Sequence, residues 1–289
     1  MNREASEPMA FSPAETIAKR FVEARLATVS LAEFPGPIPA DLASAYACQD
    51  AAIALWPDDI AGWKIGRIPP NREMSLGSGR LAGPIFRRSI QRAKAGMPVR
   101  FPIFEGGFAA VEAEFVFEVA RDAAPGKTEW SLAEAAAIVG TLHVGVETAG
   151  SPLATINVLG PTVVISDFGN NAGLILGPEI ADWRSRPFGE LVCETFLNGR
   201  SVGKGAATDL PGGPIEAVRF LLEHCARRGR PLRKGMLVSS GAATGIHDIV
   251  SGETARFDFG RDGEIVCTAV TARPASDTQP LKADRAQLR

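Results

Sequence analysis

After Trp56 the chain breaks into short β-prone runs, each bounded by glycine or proline, and no other feature limits its possible folds as much. The candidate strands are Gly62–Ile65, Val99–Ile103, Val111–Val119, His143–Thr148, Thr162–Ser166, Gly173–Leu176, Leu191–Leu197, Met236–Ser240, Glu253–Phe259 and Glu264–Thr271. Ahead of them, residues 13–29 carry Ile17, Phe21, Val22 and Leu26 at helical spacing behind Pro13, and a second helix spans Asp41 to Leu55. The run WSLAEAAAIV at 130–139 reads as a helix capped by Ser131, with Glu134 completing a capping box. The run PIEAVRFLLEHCARR at 214–228 reads as another helix, opened by Pro214. The fold expected is α+β: a β-rich mixed rolled sheet with a helical N-terminal section. The organisation expected is a helical section over 1–56, a β-roll domain over 57–275 and a flexible tail over 276–289.

Composition narrows the function classes. With 45% apolar and 22% charged residues in 289, the chain can bury a full core. A formal net charge of −2 points away from nucleic acid and acidic membrane surfaces, and towards a small-molecule partner. Cys48, Cys193, Cys225 and Cys267 lie far apart and form no CxxC pair, so buried reduced thiols are expected rather than a zinc site or disulfide framework. The first residues lack the apolar core of a secretory signal, and no uninterrupted apolar stretch reaches the length of a membrane span. A cytoplasmic protein is expected. Its glycine clusters, Gly203–Gly205 among them, read as turn signals; they fit neither GxGxxG between strand and helix nor a P-loop, and there is no GxSxG elbow.

The local signal with most chemical content is VEAEFVFEVA at 111–120. Strand alternation puts Val111, Ala113, Phe115, Phe117 and Val119 on one face and Glu112, Glu114, Val116 and Glu118 on the other. Adjacent carboxylates repel, and a divalent cation relieves that repulsion with the oxygen ligands Mg²⁺ or Mn²⁺ prefers. A solvent-facing acidic strand face is the competing reading. In TLHVGVET at 141–148, His143 and Glu147 share a face, with His143 either a base or a satisfied core histidine. Lys64, set between glycines in AGWKIGR, is either drawn into a pocket to bind a carboxylate or left at a strand end. The small-residue run SSGAATG at 239–245 offers oxyanion donors or a tight loop.

In order along the chain stand AYACQDA (45–51), GWKIG (62–66), VEAEFVFEV (111–119), GVET (145–148), DFGNNAGLILG (167–177), LNGRSVGKGAA (197–207) and LRKGMLVSSGAATG (232–245). Together they resemble the 2-oxopent-4-enoate hydratase and 2-oxo-3-enedioate (4-oxalocrotonate) decarboxylase group of the fumarylacetoacetate hydrolase superfamily. The resemblance implies a mixed β-roll, usually in homo-oligomers, with Mg²⁺ or Mn²⁺ held by the residues matching Glu112, Glu114 and Glu147 and with Lys64 in catalysis. Two departures stand out. Hydratases of this group follow the third ligand with Asp-Ser-Arg, where this chain has Gly150, Ser151 and Pro152, and they carry an acid near the position of Ala82.

The activity expected from the resemblance is addition of water to a 2-hydroxy-2,4-dienoate through an enolate. The alternatives are decarboxylation of a 2-oxo-3-enedioate, C–C hydrolysis of an acylpyruvate, and an inactive subunit partnering a decarboxylase or hydratase. Lys64 and Glu105 are the expected catalytic residues, and Lys64, Ser240, Gly241 and Thr244 the expected substrate contacts.

Overall fold

The computed structural model describes residues 11–274. The expected tail at 276–289 lies outside the described residues. The helices are α1 (Pro13–Ala27), α2 (Leu42–Leu55), α3 (Pro70–Leu76), α4 (Leu132–Ile138), α5 (Ile156–Leu159), α6 (Pro161–Ser166) and α7 (Pro214–Arg227). The strands are β1 (Ile60–Arg67), β2 (Arg80–Phe86), β3 (Ile90–Arg92), β4 (Val99–Ile103), β5 (Phe108–Val119), β6 (Val139–Ser151), β7 (Asn171–Glu179), β8 (Val192–Leu197), β9 (Arg200–Ala206), β10 (Leu237–Ser239), β11 (His247–Asp248), β12 (Thr254–Asp258) and β13 (Glu264–Thr271).

Two mixed sheets make the expected α+β roll. The larger runs β2-β1-β10-β5-β6-β7-β3, with β11 added to β5, and the smaller runs β4-β13-β12-β8-β9. β5 is the axis of the assembly, and its alternation is as the sequence predicts. Val111, Ala113, Phe115, Phe117 and Val119 enter the main core with Trp63, Phe257, Ile265 and the α7 residues Val218, Leu221 and Leu222. Phe115 meets Phe259 edge-on at 5.8 Å between ring centroids. On the opposite face Val116 joins a small cluster with Ile85, Leu174, Leu176 and Leu237. The same face carries the three glutamates.

Local signals explain several elements. Ser12 with Glu15 and Ser131 with Glu134 both form capping boxes, so α1 and α4 begin where the sequence places them. α1 and α2 pack through a second cluster containing Ile17, Phe21, Tyr46, Ile68 and Leu81.

Two expectations are corrected. Thr162–Ser166, read as a strand from its β-branched residues, is helix α6. Gly160 and Pro161 start it, and burial against α2 outweighs the β-propensity of Thr162, Val163 and Val164. Gly203 and Gly205, read as turn signals, lie inside β9. A Cβ at either would stand 2.5 Å from Thr244 O or 1.9 Å from Ala243 O, so these glycines let the 240–246 loop cross the strand.

A third close approach sets the site. Phe168, Gly169 and Asn170 all take left-handed backbone, with φ of 55, 64 and 56°. This arch rests on β2 at Gly83, where a Cβ would lie 2.1 Å from Phe168 O. Gly83→Ala should therefore displace the arch and cost about 1–3 kcal/mol of stability as overpacking, read as a lowered urea midpoint. An unchanged midpoint would mean that the arch is free to shift.

Candidate metal centre and active site

The antiparallel register of β5 and β6 builds the centre. Glu112 pairs directly with Glu147, Glu114 with Gly145 and Val116 with His143, so all of these share one face. A cross-strand pair of like charges destabilises a sheet. Here both partners are buried and a third carboxylate joins them: Glu114 and Glu147 are fully buried and Glu112 nearly so. One oxygen from each of the three lies within 4.8 Å of the others. The wet-strand reading is excluded by this burial.

On two of the glutamates the protein holds one oxygen by hydrogen bonds and leaves the other without one. Glu114 Oε2 accepts hydrogen bonds from Ser239 Oγ–H and, at 3.0 Å, from the Gly241 N–H. Its Oε1 is buried and accepts none. Glu147 Oε1 accepts from Asn171 Nδ2 at 2.9 Å. Its Oε2 accepts no hydrogen bond and faces Lys64 Nζ across 3.2 Å as an ion pair. Buried oxygens without donors are costly, and an all-oxygen donor set suits a hard divalent ion. The residues present therefore fit such a cation.

Electrostatics agree. Burial, then Glu147, push the Glu112 carboxyl up to about 7, with Lys64 pulling the other way. Burial, then Glu147 and Glu112, hold Glu114 well above the usual carboxylate range. For Lys64, burial alone would lower the ammonium's pKa, but Glu147, Glu112 and Glu114 outweigh it and the net shift is upward. Fully ionised, the three carboxylates would outweigh a single lysine, so without a further cation the site holds on to protons.

Lys64 reaches the glutamates from β1, which runs parallel to β10 with Lys64 opposite Ser239. Besides its ion pair with Glu147 it donates to Asn170 Oδ1 at 3.3 Å. The floor of Lys64, Glu112 and Asn170 opens into a cavity of about 920 Å³, walled by Arg67, Arg72, Asn157, Leu210, Ser240 and Ile246 among others. No histidine lines it.

The other expected site residues divide. Ser240 and Gly241 line the cavity, but the Ser240 hydroxyl donates to Phe115 O at 2.7 Å and the Gly241 N–H to Glu114. They shape the glutamate site rather than offer free donors. Thr244 is turned away, with Oγ1 at 2.8 Å from Thr195 Oγ1 and 3.3 Å from His247 Nε2. Glu105 stands exposed in the turn before β5, outside the cavity lining. His143 is buried with Nδ1 3.2 Å from Gly177 O, as a satisfied core histidine.

Three residues went unremarked in the sequence reading. Asn170, Asn171 and Asp167 all lie in DFGNNAG, and that clustering inside a quoted motif was the available signal. Asp167 pairs with Arg25 of α1, whose Nη2 also donates to Gly150 O at 2.9 Å, while Ser151 Oγ–H donates to Asp167 at 2.6 Å. A buried Arg–Asp pair thus stands against Gly150 and Ser151, supplied by elements distant in sequence. At Ala82 the neighbours are uncharged: its N–H donates to Tyr46 Oη and its carbonyl accepts from Gln49.

No family sequence profile and no curated protein matches the chain. Solved structures do. A 4-oxalocrotonate decarboxylase from Pseudomonas putida G7, complexed with magnesium and adipate, is 18% identical with a TM-score of 0.73, over 89% of this chain and 97% of that one. The same enzyme with calcium and acetate is 20% identical with a TM-score of 0.71, over the same shares. A fumarylpyruvate hydrolase from Pseudomonas aeruginosa, in complex with Mn²⁺ and pyruvate, is 16% identical with a TM-score of 0.54, over 73% of this chain and 89% of that one. The chain shares the fold of these proteins, in keeping with the mixed β-roll its motifs lead one to expect. No helix among the described residues is long and apolar enough to cross a membrane.

Proposed function

We propose that this protein is a Mg²⁺- or Mn²⁺-dependent enzyme acting on a short 2-oxo acid, and that its reaction is decarboxylation of a 2-oxo-3-enedioate. The observation that carries the reading is the three-carboxylate group itself: Glu114 Oε1 is buried without a donor, Glu147 Oε2 meets only the Lys64 ammonium, and Glu112 and Lys64 open into the cavity. A divalent ion held by Glu112, Glu114 and Glu147 supplies a Lewis acid for the adjacent carboxylate and carbonyl oxygens of such a substrate. The Lys64 ammonium adds positive charge at the same end, where negative charge collects in the transition state. In the decarboxylation, the bond from C5 to the distal carboxylate breaks. Its electron pair moves through the C3=C4 double bond onto the C2 oxygen, CO₂ leaves, and a proton from water completes 2-hydroxypenta-2,4-dienoate.

That step needs an electron sink and a cation, not a general base, and the floor offers the first two. Arg67 and Arg72 in the outer wall suit a second carboxylate. The similarity to the decarboxylase structures over 89% of this chain supports the same choice. Hydration of the dienoate, which passes through a related enolate, is the second reading. A homo-oligomer is the assembly proposed.

Product analysis tests the assignment. Mn²⁺-loaded protein should consume 2-oxo-3-hexenedioate and release one CO₂ per molecule. Turnover of 2-hydroxypenta-2,4-dienoate without CO₂ from the enedioate would move the assignment to hydration. Turnover of neither, with Mn²⁺ bound, would make the chain a non-catalytic subunit.

A further inference from the structure

The left-handed arch at 168–170 brings a carboxamide to the Lys64 ammonium in the cavity lining. Left-handed backbone is uncommon for residues other than glycine, and such strain persists where surrounding structure imposes it. Here Phe168 and Asn170 both adopt it around Gly169. The Gly83–Gly169 approach presses the arch against β2. The result is that Asn170, 4% exposed, is a second partner of the Lys64 ammonium, at 3.3 Å against 3.2 Å for Glu147. The orientation of its amide is set at both ends. Oδ1 accepts from Lys64 Nζ at 3.3 Å, and Nδ2 donates to Asn157 Oδ1 at 3.1 Å. Asn157 lies in α5, in the cavity wall.

We propose that Asn170 is a positioning residue, which holds the Lys64 ammonium between Glu147 and the cavity so that it meets the oxygen of a 2-oxo acid. This rests on the metal-dependent reading above. A lysine side chain has four rotatable carbons, and an ion pair with Glu147 alone would draw its ammonium down among the glutamates. The uncharged Asn170 acceptor opposes that pull without adding a negative charge that would compete with substrate. Asn157 keeps the acceptor oxygen turned towards Lys64.

Asn170→Gly separates the side chain from the backbone, because glycine accepts the left-handed conformation more readily than asparagine. The probe is oxalate, a planar dianion resembling a 2-oxo acid enolate, titrated by calorimetry into Mn²⁺-loaded protein. In Asn170→Gly, Mn²⁺ affinity should stay at the wild-type value while oxalate binds about tenfold more weakly, the effect of a lost hydrogen bond to a charged group. In a Lys64→Met background the same change should have no further effect. Wild-type oxalate affinity in Asn170→Gly, or an equal loss with and without Lys64, overturns the proposal. If the wild-type protein binds no Mn²⁺, the metal-dependent reading fails instead. The contact is then decided by urea midpoints of the metal-free wild type, both single variants and the double variant, where additive shifts overturn it.

Discussion

Glu114→Gln should abolish Mn²⁺ binding and, at the same time, make the metal-free protein more stable than the wild type. Both effects follow from one arrangement. Glu114 is fully buried among Glu147 and Glu112, and burial followed by those two charges holds its carboxyl far above the usual range. A neutral amide of nearly the same shape removes an acid that folding must either bury charged or protonate, while its oxygen can still face the Ser239 and Gly241 donors. Without Glu114 the cation loses one of three anionic ligands, and the remaining two come from a single cross-strand pair. In the wild type, Mn²⁺ at a hundred times its dissociation constant should stabilise the fold by about 2.7 kcal/mol. In Glu114→Gln that gain should vanish.

The sign of the pH dependence follows as well. An acid whose pKa is raised on folding binds more protons folded than unfolded, so stability falls as pH rises between the two values. For Glu112 that window runs from its ordinary 4.5 to about 7. The metal-free wild type should lose stability across this range, and saturating Mn²⁺ should remove the loss. Thermal unfolding with and without Mn²⁺ reads both predictions. A Glu114→Gln variant that is less stable than wild type without metal, and still stabilised by it, would mean the carboxylates do not hold the ion.

Much of this centre was legible in the sequence because it is built on strand periodicity. The alternation in VEAEFVFEVA fixed which residues of β5 enter the core, and the glutamates then had to share the other face. Pro13 and the Ser131–Glu134 capping box announced their helices through residues only a turn away. Interactions between distant segments left no such trace. Nothing local marks Arg25 as different from the other arginines, and its partners come from 125 to 146 positions further on. Gly241 looked like an oxyanion donor, but only the antiparallel pairing of β10 with β5 reveals that its N–H belongs to Glu114. Thr244 was misplaced for a related reason: the loop after β10 crosses β9 at two glycines and turns its hydroxyl towards Thr195. α6 was misread because its β-branched residues follow the demands of packing under α2 rather than their own propensity.

The most destabilising single change should be Arg25→Met. The Arg25 guanidinium meets Asp167 through two contacts, Nε to Oδ1 at 2.5 Å and Nη2 to Oδ2 at 2.9 Å. It also donates to the carbonyls of Asn171 and Gly150, and it packs near the rings of Phe104 and Phe168 at 5.6 and 5.1 Å. Asp167 has no solvent exposure, so methionine leaves its carboxylate buried with only Ser151 as a side-chain donor. Removing one partner of a buried pair costs about 3–5 kcal/mol, whereas replacing both is often close to neutral. Arg25→Met/Asp167→Asn should therefore be more stable than Arg25→Met alone, and the difference in urea unfolding measures the stranded charge. A second effect follows from Asn171. Its carbonyl is held by Arg25 while its side chain holds Glu147 Oε1, so loosening that residue frees a metal ligand. The double variant should recover stability yet bind Mn²⁺ more weakly than wild type. If the double variant is no more stable than Arg25→Met, the cost lies in lost packing against the two phenylalanines rather than in the charge of Asp167.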